Sequence, residues 1–275
     1  MESNRTHVGD LTMRWEEAGD GPAVVFVHGI PTSPRLWRHV VPLVPGARCL
    51  AWEMVGYGAS IAEGEGRDIS VARQADHLAE WMEAVGLDDA VVVGHDLGGG
   101  VAQILAVRHP ERVRGLVLTN CIAYDSWPIP MVKAMRALGP VVAHLPDAAF
   151  RPMYSAFLHQ GHDAPGRADE SVEAHWPYYA GSDGAAAAFI RQTESLDVDD
   201  TLAIADALPT LNLPARLVWG AADPFQEIAY GYRLATELGA PLDRIEGGLH
   251  FVPEDHPGRV ADAVNTLLDD LNASA

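Results

Sequence analysis

One run of nine residues constrains the fold of this chain more than any other: Val91-Val92-Val93-Gly94-His95-Asp96-Leu97-Gly98-Gly99. Three successive valines without polar alternation read as a strand buried on both faces, which is the habit of strands inside a parallel sheet. Small residues two before and two after Asp96 permit a sharp, strained turn, and a helix is expected to begin near Leu97. Such a turn lifts the side chain at its apex above the sheet. The alternative is a Gly-rich strand–turn–helix in which Asp96 is an ordinary helix cap.

The rest of the chain fits a parallel sheet. Ala23 to Val27, Arg48 to Trp52, Ala90 to Val93 and Val113 to Leu118 read as strands, alternating with helical patterns. Val71, Ala75, Leu78, Met82 and Val85 recur at spacings of four and three, which places one apolar stripe on a helix ended by Gly86. From Ile122 to Leu196 the strand signal vanishes in favour of prolines, histidines, aromatics and alanine-rich helical stretches. We therefore read residues 122–196 as a helical cap inserted into a core of residues 1–121 and 197–275. Strands resume at Ala215 to Trp219 and Leu242 to Ile245. The chain closes on a helix carrying Val260, Val264, Leu267, Leu268 and Leu271 on one face, with Pro257 suited to its first turn. A chain of 275 residues that is 48% apolar has the material for one such domain.

Three further segments carry chemistry. Val27-His28-Gly29-Ile30-Pro31 follows a buried strand, where the backbone N–H of Ile30 can join that of Leu97 in an oxyanion hole. His28 itself reads as a structural, hydrogen-bonded histidine. Trp219-Gly220-Ala221-Ala222-Asp223-Pro224 ends a strand with an acid, and Gly247-Gly248-Leu249-His250-Phe251-Val252-Pro253 places a histidine after the next one. The order is nucleophile Asp96, acid Asp223, base His250. Asn120 and Cys121 occupy the end of the preceding core strand, which makes Asp223 the better acid.

These motifs, with Thr32-Ser33, Leu36-Trp37-Arg38 and Glu254-Asp255-His256-Pro257, give the chain a resemblance over nearly its full length to the α/β-hydrolase superfamily. Within it, Asp in place of the usual Ser resembles the branch with aspartate nucleophiles, the epoxide hydrolases and haloalkane dehalogenases. The resemblance implies an α/β fold with a mostly parallel eight-stranded sheet, helices on both faces and an inserted helical cap. It also implies the roles given above for Asp96, His250, Asp223 and the N–H groups of Leu97 and Ile30, and no cofactor.

A carboxylate can attack an sp³ carbon in line, expel a leaving group and form an alkyl ester, which water activated by His250 then hydrolyses. A halide leaves without a proton, whereas a ring-opened epoxide leaves as a basic alkoxide and needs an acid such as tyrosine. Haloalkane dehalogenases commonly have Trp after the nucleophile and often Asn where this chain has Ile30, and Leu97 and Ile30 supply neither donor. Leu97, Gly98, Gly99 and Gly100 likewise lack the arginines that the fluoroacetate-dehalogenase relatives use. Epoxide hydrolases usually place two tyrosines in the cap. Tyr154 is the candidate for the first, but Phe189-Ile190-Arg191 carries Ile190 where the second belongs, leaving Tyr178, Tyr179 or His175 as substitutes.

The expectation is thus an epoxide hydrolase opening a small apolar epoxide to a diol. The runner-up is a haloalkane dehalogenase with an atypical halide site, and a non-catalytic small-molecule receptor on the same fold is the remote third. Trp37, Trp127, Phe189 and Phe251 are the aromatic candidates for the substrate pocket, while each candidate donor in the cap, taken singly, reads more readily as lid packing than as a catalytic acid. Trp176, Trp219 and Phe225 stay open between pocket and packing.

The remaining features bound the partners. A formal charge of −19 disfavours nucleic acid and anionic membrane surfaces, so the expected partners are a small substrate and water. Cys49 and Cys121 read as reduced core thiols, and the N-terminus has no apolar signal-like run, which together suggest a cytoplasmic protein; nothing in the sequence selects between a monomer and a homodimer. His159 and His162 are spaced for one helix face, but Gly161 and Asp163-Ala164-Pro165 indicate a loop without a third ligand, so no metal is assigned.

Overall fold

The computed structural model describes residues 1–180 and 184–273. Eight strands form one sheet in the order β1-β2-β4-β3-β5-β6-β7-β8. They are β1 (Glu2–Val8), β2 (Leu11–Ala18), β3 (Ala23–Val27), β4 (Arg48–Trp52), β5 (Ala90–Asp96), β6 (Val113–Cys121), β7 (Ala215–Gly220) and β8 (Leu242–Ile245). β1 and β2 are antiparallel to each other, and β2 to β4, while β4 through β8 run parallel. The sheet is the mostly parallel one expected, and the six strands read from apolar runs are all present. The hairpin β1–β2 was not anticipated. Its first strand lies at the sheet edge with alternate residues exposed, so no apolar run marks it.

Helices α1 (Val71–Ala84), α2 (Leu97–Arg108), α9 (Ile228–Glu237) and α11 (Pro257–Ala273) flank the sheet, with the short α10 (Val252–Asp255) before the last. Ser70 caps α1 by accepting the N–H of Arg73, and Gly86 just beyond its end takes φ +67°, a conformation that suits glycine. α2 is buried on every side from Leu97 to Ala106, the position of a helix pressed under the sheet and covered by α1. Ala-rich and Gly-rich composition lets it lie that close. Cys49 and Cys121 are buried and unpaired.

Between β6 and β7 the described residues contain helices and no β-strand: α3 (Pro130–Ala137), α4 (Gly139–Val142), α5 (Asp147–Gly161), α6 (Pro165–Ala180), α7 (Ala185–Glu194) and α8 (Asp199–Leu202). The loop read around His159 is instead the last turn of α5, which runs to Gly161 despite Pro152 near its start. No helix among the described residues is long and apolar enough to cross a membrane.

Candidate active site

The parallel strands deliver Asp96, the Ile30 N–H, Asp223 and His250 at or just beyond their C-terminal ends, where open α/β sheets bind ligands. Asp96 ends β5 with φ +51°, a left-handed conformation costly for a residue with a side chain. Two glycines make the turn possible. A methyl group on Gly98 would overlap the carbonyls of Val27 and His28, and one on Gly29 would overlap the Asp96 carboxylate. The loop after β3 and the turn after β5 therefore approach within backbone contact.

That approach sets the first part of the geometry. The Ile30 N–H donates to Asp96 Oδ2 at 2.9 Å, and the Leu97 N–H also bonds to the Asp96 carboxylate. The side chain stands at the N-terminus of α2, where the helix dipole favours negative charge. Burial nonetheless dominates and pushes Asp96 up to about 6, against the opposing pull of His250 and the two N–H groups.

His250 supplies the second part. Its Nε2 lies 3.9 Å from Asp96 Oδ1, too far for a direct hydrogen bond, and its Nδ1 lies 2.8 Å from Asp223 Oδ2. Burial alone would lower the imidazole, but Asp223 and then Asp96 outweigh it and the net direction is upward. Asp223 is held in turn by the Phe225 N–H on Oδ1 (2.7 Å) and by Asn120 Nδ2 on Oδ2 (2.6 Å). Asn120 Oδ1 accepts the Gly220 N–H at 3.0 Å, so this asparagine ties β6 to β7 and orients the acid. Sequence reading weighed Asn120 solely as a failed alternative to Asp223 and missed this role.

The loop that carries His250 is pinned from below and above. His95 Nε2 donates to the His250 carbonyl at 3.1 Å. From the helical insertion, the Gly161 carbonyl accepts both the His250 and Phe251 N–H groups, at 2.8 and 3.0 Å. His28 accepts the Met54 N–H on Nε2 at 3.2 Å, its Nδ1 lies 3.0 Å from the Gly29 carbonyl, and burial lowers it to about 3, which fits a neutral structural histidine.

A second buried cluster lies behind the same loop. Glu254, fully buried, contacts Arg38 Nη1 closely, with His162 Nε2 at 3.2 Å and His175 Nε2 at 3.5 Å. His162 also faces Asp255 at 3.0 Å, and although burial opposes it, the two acids raise it to about 9. His175 is lowered, chiefly by burial, and bonds Ser33 Oγ through Nδ1 at 2.8 Å. His175 is thus part of the bridge between α6 and the core rather than a donor at Asp96.

A cavity of about 30 Å³ opens at Asp96 and His250, lined also by Ile30, Leu97, Trp127, Phe157, Phe225 and Gln226. Of the expected pocket aromatics, Trp127 faces it with its N–H committed to Thr201 Oγ1 at 2.6 Å. Phe189 lines a neighbouring cavity instead. Trp37 packs on Phe26 inside the core, and Phe251 stacks on His162 at 4.6 Å, so neither lines the cavity at Asp96. Among the expected proton donors, Tyr154 donates to the Pro31 carbonyl at 3.0 Å and Tyr179 to Gln192 Oε1 at 2.6 Å. Tyr178 is half-buried and senses Glu16 and Glu53 rather than Asp96. None of the three lines the cavity at Asp96.

Gln226 went unnoticed in the sequence. Its side chain is 3% exposed, its Oε1 has no hydrogen-bond partner, and it lines the cavity three residues after Asp223. A lone glutamine in a loop has no spacing signature that would single it out. No group of three or more His, Cys, Asp or Glu side chains among the described residues is placed to hold a metal ion.

The fold and this arrangement define a class. The family model described as alpha/beta hydrolase fold matches residues 22–257, and the chain belongs to that family. A solved alpha/beta hydrolase fold protein from Burkholderia ambifaria, 25% identical, superposes with a TM-score of 0.85 over 95% of this chain and 96% of that one. Among sequence relatives, a haloalkane dehalogenase of Mesorhizobium japonicum is 39% identical over 124 residues, 43% of this chain and 38% of that protein. Bifunctional epoxide hydrolase 2 of Sus scrofa is 37% identical over 112 residues, 40% of this chain and 20% of that protein. The matches therefore span well under two thirds of either relative.

Proposed function

We propose that this hydrolase acts on a small apolar haloalkane through a covalent ester on Asp96. The observation that carries the reading is the division of the Asp96 carboxylate: Oδ2 accepts the Ile30 N–H at 2.9 Å, while Oδ1 faces His250 across 3.9 Å. Oδ1 attacks the carbon, the C–X bond breaks and the halide leaves with its electron pair. Oδ2 becomes the ester carbonyl oxygen, already beside the N–H groups that stabilise the tetrahedral oxyanion of the second step. Water then adds to the ester carbonyl carbon as His250 Nε2 takes its proton, with Asp223 stabilising the resulting cation. The tetrahedral oxyanion collapses, the bond from the carboxyl carbon to Oδ1 breaks, the alcohol leaves carrying Oδ1 and the proton returned by His250, and the carboxyl of Asp96 loses its remaining proton.

The leaving group is inferred from the cavity lining. It contains no tyrosine and no carboxyl group besides Asp96, and His250, the other titratable side chain there, serves as the base of the second step. The Gln226 amide can hydrogen-bond a halide but cannot protonate an alkoxide. This reverses the order of the two readings drawn from the sequence alone. Epoxide opening remains the second reading because Tyr154 and Tyr179, two buried tyrosines with ring centroids 5.1 Å apart, lie beside the loop that carries Ile30.

The deciding experiment traps the ester. His250→Gln should form it without hydrolysing it, so intact-protein mass after exposure to bromoalkanes and epoxides identifies the chemistry. An alkyl adduct lacking halogen, lost when Asp96→Asn is added, supports the proposal. An adduct equal to a whole epoxide transfers it to the second reading, and no adduct from either panel refutes both.

A further inference from the structure

The cavity at Asp96, about 30 Å³, has room for little more than the reacting carbon and its leaving group. Behind it lies a second cavity of about 170 Å³, and the two share Val132 and Phe157 as walls. Phe157 is the partition: its ring stacks on Phe225 at 4.9 Å, and Phe225 in turn packs edge-on against His250 at 5.0 Å. The larger cavity is walled by Met131, Met135, Met153 and Phe150; the Tyr154 hydroxyl is bonded to Pro31, and the other polar side chain of the lining, Gln160, is exposed. Met153 is 40% exposed, so the cavity reaches the surface between α3 and α5. Methionine side chains adapt to whatever apolar shape fills such a space.

We infer that this second cavity binds the apolar tail of the substrate, and that the substrate is an unbranched or phenyl-terminated chain whose reactive carbon is terminal. An apolar cavity of about 150 Å³ accommodates a benzene ring, which sets the tail at about six carbons. The narrow catalytic cavity excludes branching at the reacting carbon, and the tail reaches the second cavity past the shared wall of Val132 and Phe157. The inference rests on the reading of Asp96 as the nucleophile toward an alkyl carbon, but holds for either leaving group.

The test compares kcat/KM for 1-bromoalkanes and 1,2-epoxyalkanes of increasing length. Each buried methylene contributes about fourfold, equivalent to ~0.8 kcal/mol, so the hexyl compound should exceed the ethyl one by about two orders of magnitude before a plateau. Ala156 is exposed on the rim of the cavity, so Ala156→Trp fills the space from outside without disturbing the core. It should reduce the hexyl-to-ethyl ratio to under about tenfold, by the same methylene scale. Turnover without length dependence, or an equal ratio in Ala156→Trp, overturns the inference while leaving the nucleophile's role intact. If neither series is turned over, the proposed reaction fails, and binding of 1-hexanol against ethanol, read as thermal shift, decides the cavity separately: equal shifts overturn it.

Discussion

Arg38→Met should destabilise the protein far more than loss of a surface arginine. Arg38 is 11% exposed at its side chain and pairs closely with Glu254, which is fully buried. Its second pair, with Glu170 at 3.1 Å, is worth at most about 1 kcal/mol because Glu170 is 40% exposed. Without Arg38 the buried carboxylate retains the cation of His162 and nothing else of comparable strength, and a broken buried pair costs about 3–5 kcal/mol. For a domain of this size each kcal/mol shifts Tm by about 2–4 °C, so the variant should melt roughly 6–20 °C lower. Urea unfolding followed by tryptophan fluorescence gives the same loss as a free energy. Because the pair is shielded from solvent, 0.5 M salt should change the difference little. Replacing both partners, Arg38→Met with Glu254→Gln, should recover most of the loss. A single variant less stable by under about 1 kcal/mol, or a double variant no better than the single, refutes the account of Glu254 as a buried charge compensated from Arg38.

The other expectations concern titration and the cavity. His162 is raised to about 9, above its ordinary value of 6.5, so its ~3 kcal/mol contribution is fully present below pH 6.5 and is lost as pH rises through 9. Urea midpoints should fall from pH 7 to 9.5 in the native chain, and His162→Gln should flatten that slope; parallel curves would contradict the assignment. In the proposed reaction the first step requires ionised Asp96, so single-turnover ester formation should rise with pH through about 6. In His250→Gln the midpoint should move upward, because His250 helps to hold the carboxylate down; a midpoint near 4 in the native chain would exclude the buried setting described. Gln226→Leu should slow C–Br cleavage, read as ester formation from bromoalkanes, by about tenfold, the worth of one hydrogen bond to a charged group, while ester hydrolysis in the same stopped-flow trace changes little. Equal slowing of both steps would mark Gln226 as structural.

What the sequence conveyed follows from the range of the interactions involved. β5 and α2 were legible because a strand buried on both faces needs an unbroken apolar run and the turn at Asp96 needs small neighbours. α1 was legible from its stripe and from Gly86. β1 was not, since a solvent-facing edge strand has no apolar pattern to show. The site divided in the same way. Asp96, Asp223 and His250 lie at strand ends that local motifs mark, and the structure brings them within a few ångströms of one another. Asn120 and Gln226 act through contacts that only the folded sheet creates. The Glu254 cluster joins residues up to 216 positions apart, beyond the reach of any periodicity. Phe251 misled for a related reason: an aromatic beside His250 suggests a pocket wall, but the loop turns its ring toward His162 in the interior.

The spacing between Asp96 and His250 has a consequence for timing. Part of what keeps the imidazole basic is the negative charge on Asp96. When Asp96 becomes an ester in the proposed reaction, that charge disappears, and the histidine sheds its proton more readily just as a neutral base is required. When water restores the carboxylate, the imidazolium is favoured again. The two groups thus act as an interlock, each step setting the protonation state that the next one needs, with no part of the backbone having to move.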